Sequence, residues 1–223
     1  MKERYLGLGL HGEGPTDQRF LGPLLARLTS GILARHSRYP VVVAPIIGVA
    51  TGAKQERASE LSRAVGASRG SLDVLFVHAD GAGDPEGAAS TVVQPLIDRI
   101  VEDHADMAPR CVPVIPIREV EAWAIADPAA IAGLLRSRQD AAALGLPDDA
   151  AACELVLDPK AALEQAVARA RSRTRRRSGP MPYEPLGERV GLERLERLSA
   201  FRKTREALLQ VLASLRILTV EAP

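Results

Sequence analysis

Aromatic side chains make up only 3% of the 223-residue sequence, so the core must be aliphatic. Base-stacking platforms of the RRM or OB type, which need interleaved aromatics, are excluded. Two cysteines, Cys111 and Cys153, are too few for a disulfide framework or a multi-cysteine zinc module. Charge of one sign is also lacking: 29 Lys and Arg stand against 28 Asp and Glu, a formal net of +1. The whole chain therefore has no preference for nucleic acid or anionic membranes, and any such contact must come from a local patch. Long hydrophobic runs are absent. The stretch 41–50 is interrupted by Pro45 and falls far short of the ~20 residues a membrane span needs. The opening MKERYLGLGLHGEG breaks too early for a signal-peptide core. The expectation is a cytoplasmic protein with reduced thiols. Zinc-spaced Cys/His clusters, a nucleophile elbow, a Ser-His-Asp order and a Rossmann G-x-G-x-x-G are missing too. Lys54, in GVATGAKQE, has the wrong spacing for a Walker A loop, and no Ser or Thr follows it. That leaves a Lys54 phosphate contact but no nucleotide hydrolysis by this loop.

What is present is the balance of a globular domain, with 46% hydrophobic and 26% charged residues. Apolar runs at 5–10, 41–49, 72–77 and 111–117 read as strands. Helical periodicity fills 16–35, 55–65 and 86–104 between them, with Thr16 as the expected N-cap of the first helix. Alternating strands and helices imply an α/β fold, a parallel sheet flanked by helices, whose chemistry gathers at the carboxyl ends of the strands. Further on the pattern is helical: a short helix over 119–126, then helices opened by Asp127-Pro128 and Asp158-Pro159. A loop-rich connection over 137–157 and a final helix over 191–215 complete it. The expected division is a core over 1–127 and a helical extension over 128–223, with a mobile Arg/Pro-rich loop near 172–185.

Four carboxylates form the leading constellation. Glu13 and Asp17 follow the first strand, and Asp80 and Asp84 follow the third in a glycine-rich turn, HADGAGD. Carboxylates converging at strand ends repel one another unless a cation joins them, and oxygen ligands point to Mg²⁺ or Mn²⁺. The structural alternative is that Asp17 stabilises a helix start and Asp84 a turn. Glu119 and Glu121, two residues apart on a helix, diverge by ~200°, so one of them faces the site. Arg118 is placed to pair with either. Trp123 fits a core position, Asp127 an N-cap. Arg173, Arg175, Arg176 and Arg177 head an arginine run whose guanidinium forks suit phosphate oxygens; the alternative is a solvated loop.

The segments GEGPTDQRFL, HADGAGD, IREVEAWAIAD, DPKAAL and GLERLERLSAFRKTREALL resemble the DUF4276 family, a TOPRIM-like group often found beside ATPases in bacterial defence loci. That resemblance implies a TOPRIM/Rossmann-like core and Mg²⁺-dependent phosphoryl transfer of the kind OLD-family nucleases perform. Glu13 and Asp17 match the opening acidic pair, and Asp80 matches an Asp of the DxD element. The resemblance favours Glu121 as the further acid. It makes Lys160, one of four lysines in the chain, a candidate contact to the scissile phosphate. An exposed helix lysine is the alternative for that residue. The chain departs from DxD, since His78 and Ala82 stand two residues either side of Asp80. Either His78 replaces a carboxylate or Asp84 supplies the charge; otherwise His78 is a strand-end histidine bonded to backbone.

Two functions follow as expectations. One is a Mg²⁺- or Mn²⁺-dependent nuclease with Glu13, Asp80 and Lys160 as catalytic residues and Glu13, Asp17, Asp80, Asp84 and Glu121 as metal ligands. His78, Lys54, Arg118 and Glu119 would be its neighbours, and nucleic acid, an ATPase and a second copy of the chain its partners. The other is a non-catalytic module that keeps the fold and uses the strand-end cleft to recognise a protein or nucleotide.

Overall fold

Arg4–Leu6 (β1) and Leu8–His11 (β2) are one extended run interrupted at Gly7, where a Cβ would lie 1.8 Å from the Ser71 carbonyl oxygen. Only glycine permits that approach. The computed structural model describes residues 4–49, 56–68, 70–105, 108–172 and 181–219. Pro45 divides the second run in the same way, into Val41–Val43 (β3) and Ile47–Val49 (β4). Val74–His78 (β5) and Arg110–Val114 (β6) follow. Every pairing of these strands is parallel, β1 with β3 and then β4-β2-β5-β6 in one four-stranded sheet. The expected α/β class is therefore the observed one. The first strand run lies between the second and the third, so the winding reverses between β2 and β5. In such sheets the crevice at that reversal is where ligands enter.

Side chains alternate across the strands. Leu8, Leu10, Val74, Phe76, Val112 and Val114 face a large core, whereas Val49, Leu75 and Val77 face a smaller one. Pro15–His36 (α1) buries Phe20, Leu21, Leu24, Leu25, Leu28, Ile32 and Leu33 in the large core. Its N-cap is Gly14 with Pro15 at the first helical position, not Thr16 as the pattern predicted. The Asp17 carboxylate accepts the Gly14 N–H at 2.8 Å and satisfies that turn instead. Arg57–Ala67 (α2) covers the other face with the helical run Pro85–Ala88 (α3), a π-helical turn Ala89–Val93, and Gln94–His104 (α4).

After β6 the chain is helical: Glu121–Ile125 (α5), Pro128–Leu135 (α6), Ala141–Leu144 (α7), a 3₁₀ turn Ala150–Leu155, and Pro159–Ser172 (α8). Asp127 caps α6 at Ala130 N–H, 3.1 Å, and its second oxygen accepts Gly191 N–H at 2.8 Å. Trp123 is fully buried and meets Phe201 edge to face, ring centroids 5.3 Å apart. Tyr183–Arg189 (α9) follows, and the single C-terminal helix expected over 191–215 is two, Leu192–Leu195 (α10) and Ser199–Ser214 (α11). Extended backbone at Gly191 and Leu198 separates them although apolar spacing continues across the breaks. Residues 183–185, expected in the arginine-rich loop, open α9, which packs along α1. Among the described residues no helix is long and apolar enough to cross a membrane.

Candidate active site at the strand ends

The loops after β5 and β6 are joined by backbone bonds. Ala82 N–H donates to Arg118 O at 3.0 Å, Gly83 N–H to Ile117 O at 2.8 Å, and Val120 N–H to the Asp80 carboxylate at 3.2 Å. Gly81 allows this approach, because a Cβ there would lie 2.3 Å from Pro116 O and 2.6 Å from Ile117 O. The glycine-rich turn thus presses Asp80 against the segment that carries Glu119 and Glu121.

His78 ends β5 fully buried, on the α1 face of the sheet. Its Nδ1 lies 2.9 Å from Val114 O. A carbonyl only accepts, so Nδ1 carries the proton and Nε2 exposes a lone pair in the neutral ring. That Nε2 has no hydrogen-bond partner. It sits 3.5 Å from Asp80 Oδ1 and 3.9 Å from Asp17 Oδ2. Burial pushes the Asp80 carboxyl up to about 6; the neighbouring His78 opposes that shift, and Asp17, Glu13 and Glu121 reinforce it. Burial likewise raises Glu121, with Glu119 and Asp17 adding to it. Glu121 accepts a bond from Tyr183 Oη at 3.3 Å, and Glu119 Oε2 is buried without a partner.

The predicted residues thus divide. Asp17, His78, Asp80 and Glu121 come together electrostatically, with Glu13 also acting on Asp80 and Glu119 on Glu121. Glu13 stands at the exposed margin, where its carboxylate meets Arg57 Nη1 at 3.4 Å. Asp84 is exposed and caps α3 by accepting Gly87 N–H at 2.9 Å, the structural role weighed for it above. Arg118 pairs with neither neighbouring acid; its guanidinium lies over Gly83, 3.7 Å from the Cβ position. Lys160 is exposed in the first turn of α8. Glu164, one turn further on the same face, contributes to the raised pKa of Tyr183, so this face borders the acidic cluster. Lys54, Arg173, Arg175, Arg176 and Arg177 lie outside the described residues.

Sequence reasoning missed His11, Arg57 and Tyr183. His11 ends β2 fully buried; its Nδ1 lies 3.2 Å from Val49 O, and its Nε2 is unpartnered. The only available signal was the HGEG string, read for its glutamate alone.

A family model described as a domain of unknown function, DUF4276, matches residues 12–203. The chain belongs to the DUF4276 family. No curated protein and no solved structure matches it. The DUF4276 match begins one residue after His11 and takes in every acidic candidate.

As they stand, no three His, Cys, Asp or Glu side chains among the described residues are arranged to hold a metal ion. Asp17 Oδ2 is engaged by Gly14 N–H and Asp80 Oδ1 by Val120 N–H. The chemistry of the donors nonetheless suits a divalent ion: an imidazole fixed through its other nitrogen, with two carboxylates beside it. A nitrogen donor favours Mn²⁺ over Mg²⁺.

Proposed function

We propose that this DUF4276 chain is a divalent-cation-dependent phosphodiester hydrolase of the nuclease type. The observation that supports it best is the buried, unpartnered Nε2 of His78 between two carboxylates, one with its pKa raised to about 6. An unsatisfied buried nitrogen costs about 1–3 kcal/mol, and crowded carboxylates resist ionisation; a cation relieves both. His78, Asp80 and Asp17 would hold that ion, which supplies an acidified water and charge stabilisation at phosphorus. Glu13, at the margin, orients what enters. Glu121 accepts the Tyr183 hydroxyl at Oε1 and keeps Oε2 for a proton.

A TOPRIM-like kinship, an ATPase of the same locus and a role in bacterial defence rest on the resemblance of GEGPTDQRFL and HADGAGD. Lys160 and the arginine run are this reading's further contacts to nucleic acid. A non-catalytic binding module is the second reading, favoured by the capping role of Asp84 and by donors that do not close on one point. The test is cleavage of labelled DNA and RNA with Mg²⁺ or Mn²⁺, with and without the ATPase, by wild type, Glu13→Gln and Asp80→Asn. The hydrolase gives Mn²⁺-dependent cleavage that Asp80→Asn lowers by at least ~100-fold. No cleavage by wild type in any arm supports the binding module.

A further inference from the structure

His11 and Arg57 are absorbed by none of this. They lie on the opposite face of the sheet from His78: His11 alternates with Leu8 and Leu10, and Arg57 is the first residue of α2. Each carries a buried polar atom without a partner, His11 Nε2 and Arg57 Nε. His11 is fully buried, and the Arg57 side chain is only 13% exposed. Burial lowers the His11 pKa; the bond to Val49 O opposes that and the Arg57 charge adds to it. With Nδ1–H given to Val49 O, Nε2 of the neutral ring is purely an acceptor.

Arg57 has one described ion pair, to Glu13 at 3.4 Å, well beyond the ~2.8 Å of a strong charge-assisted bond. A guanidinium with a free Nε–H beside a neutral imidazole acceptor matches a ligand that is both anionic and proton-bearing. A protonated phosphate has both properties. Sulfate has the same shape and charge but no proton near neutral pH.

We propose that Arg57 and His11 form an oxyanion subsite for phosphate. Arg57 binds a charged oxygen after release from Glu13, and His11 Nε2 accepts the phosphate O–H. The subsite goes beyond the hydrolase reading and does not need a metal. It opens at the margin where Arg57 and Glu13 meet, at the reversal point beside the His78 cluster. Glu13 is the competing anion, so removing its charge should have opposite effects on the two readings.

The test is calorimetric titration of the full chain with inorganic phosphate and with sulfate near neutral pH, in EDTA. Wild type should bind phosphate more tightly than sulfate. Arg57→Gln should weaken both about tenfold or more, since a hydrogen bond to a charged group is lost. His11→Gln should erase the preference for phosphate while leaving sulfate affinity within about threefold. Glu13→Gln should tighten both anions, whereas the hydrolase reading has it impair metal-dependent cleavage. Circular dichroism confirms that each variant is folded. Equal binding of the two anions by wild type overturns the role of His11. Undiminished binding by Arg57→Gln, or weaker binding by Glu13→Gln, overturns the subsite, with or without cleavage activity.

Discussion

The two faces of the sheet are built on different scales. On the α1 face, strand side chains merge with α1, α5, α6, α8, α9 and α11 into a core that runs from Leu6 to Leu218. On the α2 face, Leu61, Val65, Leu96 and Ile100 cover little more than Val49, Leu75 and Val77. Each central strand ends in a buried histidine, but His78 faces the thick core and carboxylates, and His11 faces the thin one and a guanidinium. The proposed hydrolase site lies on the better-supported side. The thin side carries the Arg57–Glu13 pair, which the proposed oxyanion subsite would open.

Breaking the thick face should have the largest effect. Trp123→Ala removes the edge-to-face partner of Phe201 and should cost about 3–5 kcal/mol in a denaturant titration. Leu61→Ala, fully buried in the thin core, should cost about 2–3 kcal/mol and disturb the Arg57 subsite while sparing Mn²⁺ binding. Equal losses of both functions in the two variants would erase the distinction between the faces.

A smaller effect sharpens the comparison at Asp80. Its folded pKa of about 6 exceeds the ordinary 3.8, so the folded state binds more protons between those values. Stability should therefore fall as pH rises from 3.8 through 6. Asp80→Asn keeps an acceptor for Val120 N–H and should gain about 1–2 kcal/mol at pH 7, after allowance for screening at a partly exposed group, and almost nothing below pH 4. Thermal melts across pH measure this, and a gain of equal size at both extremes would assign the effect to packing. The smallest expected change is Tyr183→Phe. Losing its bond to Glu121 should cost about 1 kcal/mol or less and raise the Glu121 pKa further, read by carboxyl-carbon NMR titration.

The α/β class, the parallel sheet and the siting of Asp80 at a strand end were legible because apolar periodicity and Gly-rich breaks dominate there. The break in the C-terminal helix was hidden because Leu192, Leu195, Leu198 and Phe201 keep helical spacing through the extended residue Leu198. The position of Asp17 and Asp84 after strand ends allows both a ligand and a helix-start or turn role, and the structure gives each a backbone N–H to satisfy at a helix start, Gly14 and Gly87. Short polar side chains at such places serve both purposes, and only geometry separates them. His11 ends a strand and Arg57 opens a helix 46 residues later, and no spacing rule links them. The pairing of the loops after β5 and β6 is equally long-range, and Gly81 was its one local trace.

The central claim is that His78 Nε2 is a donor waiting for a cation. Its most direct test is Mn²⁺ bound to the full chain, with the electron spin echo read for hyperfine coupling to an imidazole nitrogen. The account predicts that coupling in wild type, its loss in His78→Gln, and its persistence in His11→Gln. Bound Mn²⁺ without imidazole coupling, or coupling that survives in His78→Gln, would contradict it.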